Sequence, residues 1–369
     1  MTTSTFLDHF SNVTDPRQVG KILYPLHEIF ILVLCAVLSN ANDFLAIQVY
    51  GEEKIDLLRR FSKFENGIPR HDTISDILSV LNPKEFQECF FNWVRSFSGL
   101  VQGVIALDGK TLRGSHDEWN GQKAIHMISA FASEANLILA QLKVDDKTNE
   151  IRAIPTLLDL LVIKGCIVTI DAMGCQKEIA EKIIEKGADY VLALKGNQAS
   201  LCENVRLTFS DRKEETCFKT VDKEHGRIEV RKYYMDDKID WFHKYYPDWI
   251  NLKSIGMVES TRTIKGKTTV ERRFYSTSLP KDVEKFSYAV RTHWGIENKV
   301  HWVLDVTFQE DGHRARIKNL PQIFSTLKRA AMNLLRQEKS PGSLRGKRFK
   351  AGWNDTFLVS LLSRELSTI

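Results

Sequence analysis

Two stretches decide how this chain folds: Val104-Ile105-Ala106-Leu107-Asp108-Gly109-Lys110-Thr111 and Cys166-Ile167-Val168-Thr169-Ile170-Asp171-Ala172-Met173-Gly174. Each is a short apolar run rich in β-branched residues that ends on an aspartate with glycine close behind. Runs of this kind read as buried strands. An ionised carboxylate at the end of such a strand is costly unless it is paired or holds a metal. A third acid, Glu297, falls on a helical pattern that begins near Lys281. Two strand-end aspartates and a helix glutamate make an oxygen-rich site for two Mg²⁺ ions, which is equipment for cutting and joining phosphodiester bonds. The plain alternative for each acid is a carboxylate capped by backbone N–H groups.

Working outward, Val104–Leu107, Ile125–Phe131 and Leu137–Val144 read as three strands, with Glu134-Ala135-Asn136 as a hairpin turn. A helix from Ile154 to Lys164, opening at Pro155, leads to a fourth strand, Cys166–Ile170. Gln176–Lys186 reads as a helix closed by Gly187, Tyr190–Leu194 as a fifth strand, and Gln198–Phe209 as another helix. The first three strands then form an antiparallel meander, and the later two return by helical crossovers, hence parallel. This β-β-β-α-β-α-β-α order is that of an RNase H-like α/β fold. It makes strands one and four neighbours, so Asp108 and Asp171 converge.

Residues 1–97 read as a helical domain. Leu26–Leu38 is apolar, Ala46–Phe61 is amphipathic, Asp72 is placed to cap a helix through Leu81, and Pro83 opens one to about Phe97. Residues 98–336 are assigned to the α/β domain. Within it, about 211–282 breaks the alternation and reads as a β-rich insertion. There His225-Gly226-Arg227-Ile228-Glu229-Val230-Arg231 alternates like a half-exposed strand, and Thr268–Thr277 forms another beyond Gly266. A helix over Pro321–Arg336 precedes a basic tail, 337–369, containing Arg345-Gly346-Lys347-Arg348-Phe349-Lys350.

The 369 residues are 43% hydrophobic and carry a formal net charge of +5. That balance permits a nucleic-acid partner without requiring one. Six scattered cysteines without a C-x-x-C pair read as reduced core thiols. No signal peptide is expected, and the most apolar stretch, Ile29–Leu38, falls short of the roughly 18 residues a membrane span needs. A cytoplasmic protein is expected, nucleoid-associated only when bound to DNA.

Many short motifs, in order along nearly the whole chain, carry a family resemblance. They include Asp15-Pro16-Arg17, Tyr24-Pro25-Leu26, Gly67-Ile68-Pro69, His71-Asp72-Thr73, Ala106-Leu107-Asp108-Gly109-Lys110 and Asn149-Glu150-Ile151. Further on come Ile170-Asp171-Ala172-Met173-Gly174-Cys175-Gln176, Leu194-Lys195-Gly196-Asn197-Gln198, His293-Trp294-Gly295-Ile296-Glu297-Asn298, His301-Trp302-Val303-Leu304-Asp305-Val306 and Lys347-Arg348. The chain resembles the H-repeat-associated transposases of bacterial insertion sequences, a branch of the DDE transposases. The resemblance implies an RNase H-like core, a β insertion before the Glu, and DNA transposition by metal-dependent cleavage and strand transfer at element ends. It further implies double-stranded DNA as partner, a homodimer on those ends, and Mg²⁺, with Mn²⁺ able to substitute. Two other classes stay open: a silent relic that only binds DNA, and a metal-dependent nuclease without strand transfer.

On this reading Asp108, Asp171 and Glu297 are the catalytic and metal-holding residues, with Asp305, Glu310 and Asp311 as rival third acids. The helix N-terminus after Lys195-Gly196-Asn197-Gln198 suits phosphate. Lys110, Arg113, Lys195, Asn197, Gln198, Arg291, His293 and His301 are the candidate DNA contacts. One departure stands out. Many relatives carry Tyr-x-x-Arg-x-x-x-Glu and then a Lys two turns on; here His293 takes the Arg place and Leu304 the Lys place. Tyr288 and Arg291, one turn earlier, are the residues available to substitute. His293, Glu297 and His301, four apart, would share one helix face, either as a zinc site or as hydrogen-bond partners of Glu297 or phosphate. Trp241 and Trp249 of the insertion are placed either to stack on a base or to pack in the core.

Overall fold

The computed structural model describes residues 6–144, 150–210, 217–224 and 226–363. Asn149 and His225, which the motif reading used, lie outside that set. Among these described residues nine strands form one sheet: β1 Val104–Thr111, β2 His126–Ala132, β3 Leu137–Val144, β4 Ile167–Ile170, β5 Asp189–Leu194, β6 Phe218–Glu224, β7 Arg227–Asp236, β8 Ser254–Ile264 and β9 Lys267–Thr277. Their spatial order is β3-β2-β1-β4-β5-β9-β8-β7-β6. β1 is antiparallel to β2 and parallel to β4, and β4 is parallel to β5. The first five strands therefore have the order and directions of an RNase H-like core. The insertion is no separate body, because β9 adds to β5 as an antiparallel partner and extends the same sheet.

Asp108 is not at a strand end. β1 runs on to Thr111, held by β2 through Thr111↔His126, whereas its pairing with β4 stops at Leu107↔Ile170. The lapse on one side alone leaves Asp108 and Asp171 beside each other at the gap. The helix expected at Ile154–Lys164 spans Glu150–Leu160, with Pro155 inside it. The helix after Pro69 starts at His71, so Asp72 lies in its first turn instead of capping it. Ala46–Phe61 is broken into Phe44–Glu53, capped by Asp43, and Ile55–Leu58.

The alternation in β7 is real but inverted. Glu229 and Arg231 are buried, at 4% and 8% exposure, while Ile228 is 45% exposed. Trp249 is 2% exposed and packs in the core. The expected basic tail is folded. Leu344–Trp353 and Asp355–Ser363 are helices, and Arg348 is fully buried, donating to the Val37 carbonyl from Nε (2.9 Å) and Nη2 (2.7 Å). Lys347 is also buried and donates to the Leu335 and Glu338 carbonyls. A guanidinium or ammonium committed to backbone carbonyls in the core cannot reach phosphate.

The N-terminal helices share one hydrophobic core with the sheet. Leu26–Leu38 is apolar on every side and buries Ile29 through Leu38. It packs against Leu320–Gln337, which also touches β3 and the helices His71–Ser79 and Pro83–Ser98. That central helix thus fixes the helical domain to the sheet's β3 side.

Candidate active site

Three elements bring the candidate acids together. β1 carries Asp108, the end of β4 delivers Asp171, and the helix Val283–Ile296 ends where Glu297 begins. Asp282 starts that helix by accepting from the Lys285 N–H at 3.0 Å. Glu297–His301 then forms a π-helical turn, a local widening common at functional sites. The turn aims His301 Nδ1 at Glu297 Oε2 (3.1 Å) and Asp108 Oδ2 (3.5 Å). One ligand atom from each of Asp108, Glu297 and His301 lies within 4.8 Å of the others, a spacing that can hold a metal ion. Asp171 lines the same cavity of about 420 Å³, with Asp108, Glu297 and Lys195. Its Oδ1 accepts from the Met173 N–H (3.1 Å) and the Gly174 N–H (3.4 Å), which fixes its direction.

The electrostatics mark this cluster. Burial pushes the Asp108 carboxyl up to about 7; the charges of Asp171, Glu297 and Glu150 add to the rise, and the Gly109 N–H opposes it. Asp171 is raised as well, by burial and then by Glu150, against the Gly174 and Met173 N–H groups and Lys195. A carboxyl left protonated near neutrality for want of positive charge is fitted to a divalent cation, and the donor set is mainly oxygen.

Several expected contacts have other partners. Lys110 is 7% exposed and ion-paired to Asp305 (2.7 Å), Asp311 (2.9 Å) and Glu310 (3.7 Å). It is a buried strut, and it removes those three rival acids from the cluster. His293 donates to or accepts from Thr169 Oγ1 (3.0 Å), and burial lowers it to about 4. With its Nδ1 on Thr169, His293 lies outside the group of Asp108, Glu297 and His301 whose ligand atoms converge, so the three helix residues do not form a zinc site. His301, 4% exposed, lies behind the carboxylates and does not reach DNA. The side-chain amides of Asn197 and Gln198 donate to the Ala172 carbonyl (2.6 Å) and the Cys175 carbonyl (3.1 Å), clamping the loop after Asp171. Tyr288 donates to Glu134 Oε1 (2.6 Å), and Arg291 faces Asp222 (3.7 Å), so neither replaces the missing basic residues at Glu297. Lys195, exposed on the cavity, and Arg113, with an 83% exposed side chain, remain open to solvent.

Glu150 is the acid that sequence reasoning quoted without assigning. It opens the helix after β3 and bonds His126 Nε2, whose Nδ1 meets Thr111 Oγ1 at 2.9 Å. The pair lies against Gly109, where a Cβ would collide with both side chains. Its sequence signal was its place in the Asn149-Glu150-Ile151 motif; the helix that carries it was expected to begin only at Ile154.

Residues 99–334 match the transposase DDE domain model, and residues 7–94 match the DDE_Tnp_1-associated domain. "H repeat-associated putative transposase YhhI" of Escherichia coli K12 is 41% identical over 367 residues, 97% of each chain. "Putative transposase YncI" of Escherichia coli O157:H7 is 39% identical over 373 residues, 98% of this chain and 95% of that one. A cryo-electron microscopy structure of a piggyBac transposase synaptic complex with hairpin DNA aligns over 100% of this chain and 78% of its own. Its 10% identity and TM-score of 0.43 are too low to argue from. With the DDE model matched across the sheet and its helices, and a relative 41% identical end to end, the chain belongs to the DDE transposase family, in its H repeat-associated branch.

Proposed function

We propose that this chain cuts and rejoins DNA at insertion-sequence ends, with Asp108, Asp171 and Glu297 as the acids of the reaction. The observation that carries the proposal is the shared cavity, where burial and mutual repulsion hold Asp108 near 7. Asp108 and Glu297 would hold one divalent cation, and Asp108 with Asp171 a second, Mg²⁺ or Mn²⁺, with His301 behind Glu297 as its hydrogen-bond donor. Bound there, such ions favour the deprotonated form of an attacking oxygen and stabilise charge on the leaving one. The protein's own groups do the rest. The His301 N–H orients Glu297, the Met173 and Gly174 N–H groups orient Asp171, and Lys195 attracts the phosphate. In the first step a water oxygen bonds to phosphorus and the P–O3′ bond breaks. The water's proton passes to solvent, and the departing oxygen becomes a free 3′-hydroxyl. That hydroxyl then attacks a phosphorus of target DNA, displacing the target's own 3′-oxygen. Two copies, one per element end, suit this reaction.

The test is incubation of labelled DNA carrying the element ends with Mg²⁺ or Mn²⁺, beside Asp171→Asn. Metal-dependent cleaved and joined products, lost in the variant, are expected. Cleavage without joining would reduce the protein to a nuclease. Tight DNA binding with no cleavage would make it a silent relic.

A further inference from the structure

The inverted strand β7 has a consequence beyond the acid site. Alternation puts Arg227, Glu229 and Arg231 on one face of the sheet, and the register sets Arg262 of β8 opposite Glu229. Ordinary burial would turn Ile228 inward and the arginines out. Here the apolar side chains of Val221, Ile228 and Val270 are 50%, 45% and 59% exposed, and the charged face is covered. What covers it is the helix Val283–Ile296, through Val290, Arg291 and Trp294. Between sheet and helix lies a cavity of about 220 Å³. Five guanidinium groups line it: Arg227, Arg231, Arg262, Arg273 and Arg291.

Among the described side chains their countercharges are fewer. Glu229 meets Arg231 at 2.8 Å, Arg262 at 3.5 Å and Arg227 at 3.9 Å. Asp222 meets Arg231 (2.6 Å) and Arg291 (3.7 Å), and Glu271 takes Arg273 (2.8 Å). Among the described side chains, three carboxylates thus face five guanidiniums. Arg231 and Glu229 have side chains only 10% and 6% exposed, so they form a fixed base, while Arg262 and Arg291, 49% and 50% exposed, reach outward. Arg273 lies 4.5 Å from the Trp294 ring centroid, and both border the acid cavity as well. The two cavities therefore adjoin, separated by this stacked pair.

We infer that the inward arginine face of β7 and β8, roofed by Arg291 and Trp294, is a groove for the phosphodiester backbone of the DNA engaged at the acid site. Planar, bidentate guanidiniums on a rigid sheet suit phosphate oxygens. A groove adjoining the acids guides the strand to them and supplies the sequence-independent part of affinity. The inference rests on the DNA reading proposed above.

The test uses the full chain and duplex DNA carrying the element ends, with affinity measured across a salt series in EDTA. Arg262→Ala/Arg291→Ala removes the two outward arginines and spares the buried Arg231–Glu229 pair. Lys219→Ala/Lys223→Ala removes equal charge from the sheet's other face and is the control. The groove variant is expected to bind at least tenfold more weakly and to lose about two from the slope of log K against log salt. The control should lose less than half of that, and the melting temperature of both should stay within a few degrees of the parent. A groove variant that binds like the parent or like the control overturns the inference. If cleavage then still depends on Asp171, the proposed function survives. A parent that binds no DNA overturns both. Should the double variant fail to fold, Arg262→Ala alone is read, with a loss of about one in slope expected and an unchanged slope decisive against.

Discussion

His301 Nδ1 stands 3.1 Å from Glu297 Oε2, across a π-turn that an ordinary helix would not make. Only Nδ1–H can donate to that carboxylate, so the proton resides there. The buried Nε2 has no hydrogen-bond partner among the described residues, and burial lowers the ring's pKa against the opposing pull of Glu297. A side chain that orients an acid in this way tunes cation binding from behind. His301→Ala is expected to weaken Mn²⁺ binding by about 10- to 100-fold with the helical content retained. Titration followed by electron paramagnetic resonance, beside circular dichroism, checks it, and an unchanged Mn²⁺ affinity would sink the role.

Lys110 and Lys195 looked alike in the sequence, each a lysine close behind a strand. Lys110 is enclosed by Asp305, Glu310 and Asp311, whereas Lys195 is exposed at the cavity mouth. Truncating Lys110 strands buried carboxylates, and Lys110→Met should destabilise the fold by about 3–5 kcal/mol. Lys195→Met should leave urea unfolding unchanged, weaken DNA binding, and reduce the salt slope by about one. Equal unfolding midpoints for the two variants would contradict this division.

Gly109 separates the first acid from Lys110, and its φ is ordinary, so conformational freedom is not why it is glycine. The Glu150–His126 pair occupies the space a Cβ would need. Gly109→Ala must push that pair aside next to Asp108. The expected result is a folded protein, destabilised by about 1–3 kcal/mol, with weakened Mn²⁺ binding. Combining it with Glu150→Ala, which empties the space, should recover much of the stability. No recovery would show that the strain lies elsewhere.

The core was legible because its signals are local. Each β-branched run from Val104 to Leu194 became a strand, and element order fixed the meeting of Asp108 with Asp171. What failed was anything decided by partners far along the chain. Arg348 looked like part of a solvated basic tail, yet it is spent on the Val37 carbonyl, 311 positions away. Lys110 looked like a phosphate contact until the loop after Val306 delivered Glu310 and Asp311. β7 had the right period, but the helix Val283–Ile296 covers its polar face, which alternation alone cannot reveal. The π-turn at Glu297 has no periodic signature either, so His293 and His301 were placed on one face when they serve different partners.

Lys328 offers a pH test of the central helix. It is 1% exposed, with Nζ 4.6 Å from the Phe324 ring centroid. Burial lowers its ammonium to about 8 against the 10.5 of an exposed lysine; Arg348, Arg329 and Lys110 act in the same direction, and Glu310 opposes them. The unfolded chain therefore binds a proton the folded one lacks between those values. Stability from this group should rise with pH across the window, by about 3 kcal/mol at most, and be flat below it. The buried thiols of Cys35 and Cys175, each pushed up from 9.0 to about 12, act oppositely above pH 9. The quantity to measure is thus the difference between the parent and Lys328→Met in urea midpoint at pH 7, 8, 9 and 10. Lys328→Met, which leaves Glu310 with Arg329 and Lys110, should be the more stable at pH 7. Its advantage should shrink steadily above pH 8, and a constant difference across the series would mean that Lys328 titrates like an exposed lysine.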